Sequence, residues 1–199
     1  MQFAVNHLGH WTLTGLLLPA LLRAEAARIV TVTSTAHHMG RPVNPANVHL
    51  QGRYRPWRAY GQSKLANFHF GLGLQRQLSA ANSRAASLIA HPGLSNTELQ
   101  VVSMRETPGG FSQRLAHRAS AGSGMSAAIG ALSQLRAATD PAASGGQFYG
   151  PLFINNGPPV RKPILRRLGM RKAIATLWAV SERDTGVTVD VAGAAAVAG

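Results

Sequence analysis

Tyr60 and Lys64 stand four positions apart in the sequence Tyr60-Gly-Gln-Ser-Lys64, and their side chains are a phenol and an ammonium. On a helix, residues four apart share one face, so both groups would reach the same cleft. A free phenol has a pKa of about 10, and a nearby ammonium lowers such a pKa by favouring the phenolate. We therefore predict that Tyr60 exchanges a proton with a substrate oxygen. The hydroxyl of Ser34 would hydrogen-bond the same oxygen.

Ser34 ends the segment Arg28–Ser34, which is short and rich in β-branched residues. Such a segment is typical of a central strand in a parallel sheet. Because side chains alternate along a strand, Thr33 and Thr35 would face away from Ser34. We expect Ser34 to be the hydroxyl that meets Tyr60 at the carboxyl end of this strand.

The surrounding sequence alternates between helical and strand patterns. Apolar residues at helical spacing predict helices over 3–23, 59–78, 124–139 and 164–182, with Pro19 bending or interrupting the last turns of the first helix. Short apolar runs predict further strands over 85–90 and 147–149. A β-α-β order implies parallel strands joined by a right-handed crossover. The expected fold is therefore α/β, the C-terminal part of a doubly wound, Rossmann-like parallel sheet with flanking helices.

Composition excludes some classes of site. The chain has no cysteine, which rules out disulfides, thiolate metal sites and cysteine nucleophiles. His7 and His10, like the adjacent His37 and His38, lack a third ligand at a useful spacing, so no metal site is predicted. The apolar stretch near the N-terminus is too short to span a bilayer, and we expect a cytoplasmic protein.

The net charge of +13 arises from 20 Lys and Arg against 7 Asp and Glu, and it would attract anions. Basic pairs recur between Arg161 and Lys172, with apolar residues between them. A solvated helix face is the usual outcome of such a pattern. A membrane surface, nucleic acid or the rim of a substrate pocket are the alternatives, and no specific nucleic-acid partner is expected.

Several motifs resemble those of the short-chain dehydrogenases/reductases, and the residues around Lys64 are most similar to those of the retinol dehydrogenase-like branch. The motifs occur in the family's order: Asn6-His-Leu-Gly-His10, Arg28–Ser34, Tyr60-Gly-Gln-Ser-Lys-Leu-Ala-Asn67, and His91-Pro-Gly93 ahead of Thr97. The resemblance covers most of residues 1–185, which would form one partial domain, followed by a disordered Ala/Gly tail over 186–199.

The resemblance implies NAD(P)-dependent transfer of a hydride between nicotinamide and an alcohol or carbonyl substrate. We expect this substrate to be lipophilic and NADP to be slightly favoured over NAD. Tyr60 would be the acid/base, and Lys64 would favour its phenolate and hold the nicotinamide ribose. Ser34 would orient the carbonyl, and Asn6 would support a proton-relay water. The cofactor-binding residues would be Tyr60, Lys64, Pro92, Gly93 and Thr97. A homodimer is a further expectation from similar proteins.

The Gly-rich turn that holds the pyrophosphate in this family does not occur in the sequence. We therefore expect a chain that lacks the family's N-terminal dinucleotide-binding part, through a misassigned start or a true truncation. The strand Arg28–Ser34 would become a sheet edge, which favours self-association. An inactive remnant or an interaction module is the alternative to an active enzyme.

Overall fold

The computed structural model describes residues 1–94 and 125–198. A π-helical turn, Ala4–Leu8, leads directly into α1, and a 3₁₀ turn, Thr35–His38, follows β1. The α-helices are α1 Gly9–Arg23, α2 Pro56–Ala80, α3 Ala127–Thr139, α4 Met170–Thr185 and α5 Val191–Ala198. The strands are β1 Arg28–Val32, β2 Ala86–Ala90, β3 Phe148–Phe153 and β4 Asn156–Lys162.

The four strands form one sheet in the order β1-β2-β3-β4. The first three are parallel, with Arg28 opposite Ala86 and Ile89 opposite Phe148, whereas β4 returns antiparallel to β3. The predicted α/β class with a mostly parallel sheet is confirmed. Within the described residues β1 pairs on one side only, as expected for an edge strand.

Helices cover both faces of the sheet. On one face α1, α2 and α4 pack around a large apolar cluster, and on the other α3 covers a smaller one. Trp11 lies at the centre of the large cluster, fully buried, with its ring 5.1 Å from Trp178 and 5.6 Å from Phe70. This packing holds α2, which carries the Tyr60 and Lys64 pair, rigidly between the sheet and the outer helices.

The structure differs from the sequence-based predictions in several elements. The strand β4 was not predicted, since its composition, Asn-Gly-Pro-Pro-Val-Arg-Lys, lacks a strand pattern. The helix α1 continues past Pro19 to Arg23. The last long helix begins only at Met170, after Gly169 in the left-handed region with φ of 79°.

The predicted disordered tail over 186–199 contains the helix α5 in the structure. Val189 and Val191 are 2% and 1% exposed and belong to the large apolar cluster. The Val187 carbonyl accepts a hydrogen bond from Trp11 Nε1 at 2.7 Å. Burial of these valines stabilises a segment whose composition alone suggests disorder.

Candidate active site

The helix α2 places Tyr60 and Lys64 on one face, as their spacing predicts. Pro56 occupies the start of this helix, where its missing N–H costs nothing. The Lys64 Nζ lies 5.7 Å from the centroid of the Tyr60 ring. Burial lowers the pKa of the Lys64 ammonium below its ordinary value. Neither the Tyr60 hydroxyl nor the Lys64 Nζ hydrogen-bonds to any described residue, so both remain available to a ligand.

The Ser34 turn, residues 33–37, lies against this part of α2. The Thr33 Oγ1 donates a hydrogen bond of 2.7 Å to the Lys64 carbonyl, which ties the end of β1 to the helix at the position of the ammonium. A Cβ added at Gly61, next to Tyr60, would lie 3.2 Å from the Ala36 carbonyl. The turn and the helix therefore approach each other at backbone distance. The Ser34 Oγ accepts a hydrogen bond of 3.3 Å from the Ala36 amide, which leaves its own proton free to donate.

His37 anchors the carbonyl of Ser34. That carbonyl accepts hydrogen bonds from the His37 amide at 3.0 Å and from the ring Nδ1 at 2.6 Å. The ring stacks on Phe68 of α2, with 4.5 Å between centroids and 9° between planes. Burial lowers the pKa of His37 to about 4, so the ring is neutral near pH 7. A carbonyl only accepts, so the Nδ1 of this neutral ring carries the proton.

Asn6 and His7 connect the N-terminal π-helical turn to α2. The Asn6 Nδ2 donates to the Ser63 Oγ at 3.1 Å, one residue before Lys64. His7 is fully buried, with its Nδ1 3.2 Å from the Asn67 Oδ1 and its Nε2 2.8 Å from the Ser181 Oγ. Burial lowers the pKa of His7 to about 4, which keeps this ring neutral as well.

Asn67 extends the same network to the sheet. Its Nδ2 donates to the Val32 carbonyl at 3.0 Å, so its Oδ1 faces His7 and accepts from it. The side chain is fully buried. A buried amide with both ends satisfied fixes the rotation of α2 relative to β1.

The end of β2 supplies the remaining predicted residues. Gly93 adopts φ of +74°, a region that favours glycine, and its amide donates to the His91 Nδ1 at 3.1 Å. Pro92 lies between them, half-buried. Burial lowers the pKa of His91 to about 4, consistent with an Nδ1 that accepts rather than donates. Thr97 lies outside the described residues.

The structure thus brings Tyr60, Lys64 and the Ser34 turn together and places Asn6 beside them on the Ser63 side chain. The supporting roles of Thr33 and His37 were not predicted from the sequence. Strand alternation placed Thr33 on the side away from Ser34. The adjacent residues His37 and His38 were considered only as metal ligands. The described residues contain no group of three or more His, Asp or Glu side chains able to hold a metal ion.

Comparison with known proteins gives a consistent picture. A segment of 102 residues, 49% of the chain, is 48% identical to mouse polyprenol dehydrogenase. Segments of 99 and 101 residues are 42% identical to human retinol dehydrogenase 11 and 44% identical to a probable oxidoreductase of Streptomyces lividans. The segments that match the mouse and human relatives span 30% of those proteins' own length. No family profile matches the chain.

The fold agrees with these sequence matches. A crystal structure of an uncharacterized protein from Mycobacterium paratuberculosis superposes with a TM-score of 0.69 at 38% sequence identity, covering 94% of this chain and 59% of that one. The mouse and human relatives are dehydrogenases by name, and the Streptomyces protein is a probable oxidoreductase. These matches support the predicted resemblance to the short-chain dehydrogenases/reductases, and within them to the retinol dehydrogenase-like branch.

Proposed function

We propose that the chain carries the catalytic residues of an NAD(P)-dependent oxidoreductase that acts on a lipophilic alcohol or carbonyl compound. The observation that carries the proposal is the position of the Lys64 ammonium beside the Tyr60 ring, with the Ser34 turn bonded to the Lys64 backbone. A phenol, a cation that favours its phenolate and a second hydrogen-bond donor together can transfer a proton to or from a substrate oxygen.

The donor set fits a nicotinamide cofactor. The Lys64 Nζ offers three donors that no described residue uses, which suits the two hydroxyls of a ribose. Pro92 and Gly93 end β2, and ligands of open α/β sheets bind at the carboxyl ends of strands. Thr97 would complete this side of the site. The cofactor, when bound, supplies or accepts the hydride. NADP is slightly favoured over NAD.

The residues of the site take different parts in the proposed reaction. In the direction of carbonyl reduction, the Tyr60 hydroxyl gives its proton to the substrate oxygen, and the Lys64 ammonium stabilises the phenolate that remains. The Ser34 hydroxyl donates a hydrogen bond to the same oxygen and so orients the carbonyl. Asn6, held by Ser63, lies where it could position a relay water that returns the proton to Tyr60.

The lipophilic substrate is inferred from the relatives. By their names, two of these relatives act on polyprenol and on retinol. The substrate class is thus part of the proposal, and the individual substrate is left open.

Titration of the chain with NADPH, followed by the cofactor's fluorescence, tests this function. We expect a saturable change that is lost in Lys64→Ala and kept in Lys172→Ala, an exposed lysine of α4. Turnover of a retinoid or polyprenoid aldehyde should be abolished in Tyr60→Phe and kept in Tyr54→Phe, a tyrosine that is 49% exposed. Turnover that survives in Tyr60→Phe would refute the assigned role.

An interaction module is the second candidate, because β1 is the edge of the sheet within the described residues. Such an edge offers unpaired amides and carbonyls to another strand.

A homodimer is also part of the proposal, since Leu13, Leu16 and Leu17 of α1 are 57%, 68% and 46% exposed. Sedimentation velocity distinguishes association through the β1 edge or through α1 from a stable monomer. A monodisperse monomer with a cooperative melt would contradict both forms of association.

A further inference from the structure

Two segments near the candidate active site expose large apolar side chains. The end of β3 and the turn after it present Leu152, Phe153 and Ile154, which are 46%, 65% and 68% exposed. The segment between β4 and α4 presents Leu165 and Leu168, which are 62% and 106% exposed. We call these five residues the apolar rim. Exposed apolar side chains gathered beside a functional site mark a contact surface rather than chance.

The inward neighbours of the rim explain why it is held in place. Ile164 and Met170 pack against the buried cluster that contains Phe68, Ile89 and Phe148. The side chains between them in sequence, Leu165 and Leu168, therefore point outward. The outward orientation is thus fixed by the packing of the same segment.

Basic residues surround the apolar rim. No Asp or Glu occurs between residues 141 and 181, while the same stretch contains Arg161, Lys162, Arg166, Arg167, Arg171 and Lys172. The Lys162 Nζ donates to the carbonyls of Pro151 and Leu152, each at 3.1 Å, which places a cation at the rim itself. Every charged side chain in this stretch is therefore cationic, and one of the cations lies at the rim.

The rim borders the candidate active site on two sides. The Asn155 carbonyl, at the β3–β4 turn, accepts a hydrogen bond from the Leu94 amide at 2.8 Å, one residue after Gly93. The Arg167 guanidinium donates to the His38 carbonyl at 2.7 Å, at the end of the turn that follows Ser34. A ligand that covers the rim would thus lie beside the turns that carry Gly93 and Ser34.

We propose that the apolar rim and its basic residues dock on the surface of an anionic lipid bilayer. The charge complementarity favours anionic headgroups, and the exposed leucines and phenylalanine would enter the boundary between headgroups and acyl chains. Nucleic acid would use the cations but leave the apolar side chains without a partner. No helix among the described residues is long and apolar enough to cross a bilayer.

Docking gives the proposed function a route for its substrate. A lipophilic alcohol dissolved in the bilayer would reach Tyr60 without crossing water. This consequence rests on the proposed function, whereas the docking itself does not.

Sedimentation with vesicles tests the docking. The full chain should bind phosphatidylglycerol vesicles, and binding should weaken with salt and be lost on phosphatidylcholine vesicles. Leu165→Ser/Leu168→Ser should weaken binding by about tenfold or more, because two apolar anchors are removed. The matched control is Leu132→Ser/Leu135→Ser on α3, where the same chemical change is made at side chains 40% and 53% exposed.

The charges are tested in the same way. Arg166→Gln/Arg171→Gln should weaken binding to phosphatidylglycerol by about thirtyfold, since each of the two cations near an anionic surface contributes about 1 kcal/mol. Arg76→Gln/Arg84→Gln, also exposed, removes equal charge elsewhere and should have little effect. All substituted side chains are on the surface, and circular dichroism of each variant checks that the fold is kept.

Three results would overturn the docking. The first is no binding to phosphatidylglycerol at low salt, and the second is equal loss of binding in the rim and control variants. The third is salt-dependent retention on double-stranded DNA without vesicle binding. Tyr60→Phe should bind vesicles like the unmodified chain, so loss of turnover in that variant reports on the proposed function alone.

Discussion

Thr33→Val should loosen the contact between the candidate catalytic helix and the strand that precedes Ser34. Thr33 is 1% exposed, and its hydroxyl donates a hydrogen bond to the Lys64 carbonyl at 2.7 Å. Valine keeps nearly the same shape and removes only this donor. A typical intramolecular hydrogen bond contributes about 0.5–1.5 kcal/mol net. The Lys64 carbonyl still accepts from the helical amide of Phe68, so we expect a loss of about 1 kcal/mol.

Thermal unfolding followed by circular dichroism measures this loss. For a domain of 150–250 residues, about 1 kcal/mol lowers Tm by about 2–4 °C. The matched control is Thr31→Val on the same strand, a residue 6% exposed whose hydroxyl makes no hydrogen bond within the described residues. This control should melt close to the unmodified chain, because the same change of hydroxyl to methyl removes no hydrogen bond to a described residue.

The same variant also tests the geometry of the site. If the Thr33 bond sets the distance between the Ser34 turn and Lys64, kcat/KM of Thr33→Val should fall by about tenfold at a temperature where the chain is fully folded. Equal melting temperatures and equal kcat/KM for the Thr33 and Thr31 variants would refute the reasoning.

Further predictions concern packing and pH. Gly73→Ala should lower Tm, because the added Cβ would overlap the Trp178 ring, and a higher Tm would contradict this packing. Burial lowers the pKa of His37, His69 and His91 from 6.5 to about 4. Between these values the unfolded chain binds more protons, so the free energy of unfolding should fall as pH drops from about 6.5 to about 4, by about 3 kcal/mol for one such histidine. A urea midpoint that stays constant across this interval would refute the burial of these rings.

The elements that could be predicted from the sequence are those whose pattern is local. The spacing of apolar residues was enough to locate α2, and the β-branched run was enough to locate β1. The strand β4 escaped prediction because its two prolines disfavour a strand, and only pairing with β3 stabilises it. The helix at 191–198 escaped because the burial of Val189 and Val191 depends on α1 and α2, which are distant in sequence.

The candidate site divides in the same way. His7 bonds to Ser181, 174 residues away, and to Asn67, and no local pattern predicts such a pair. The role of His37 at the Ser34 carbonyl likewise depends on Phe68, which stacks on its ring. These residues have ordinary sequence contexts, so their contacts are visible only once the chain has folded.

By itself, the sequence determined that Tyr60 and Lys64 share a face, because the geometry of a helix places residues four apart side by side. Only the tertiary structure decided that the Ser34 turn meets this face, since the meeting depends on a hydrogen bond from Thr33 to a carbonyl 31 residues later and on the packing of α2 against β1. Local geometry is encoded residue by residue, whereas the approach of distant segments follows from burial and hydrogen bonding over the whole fold.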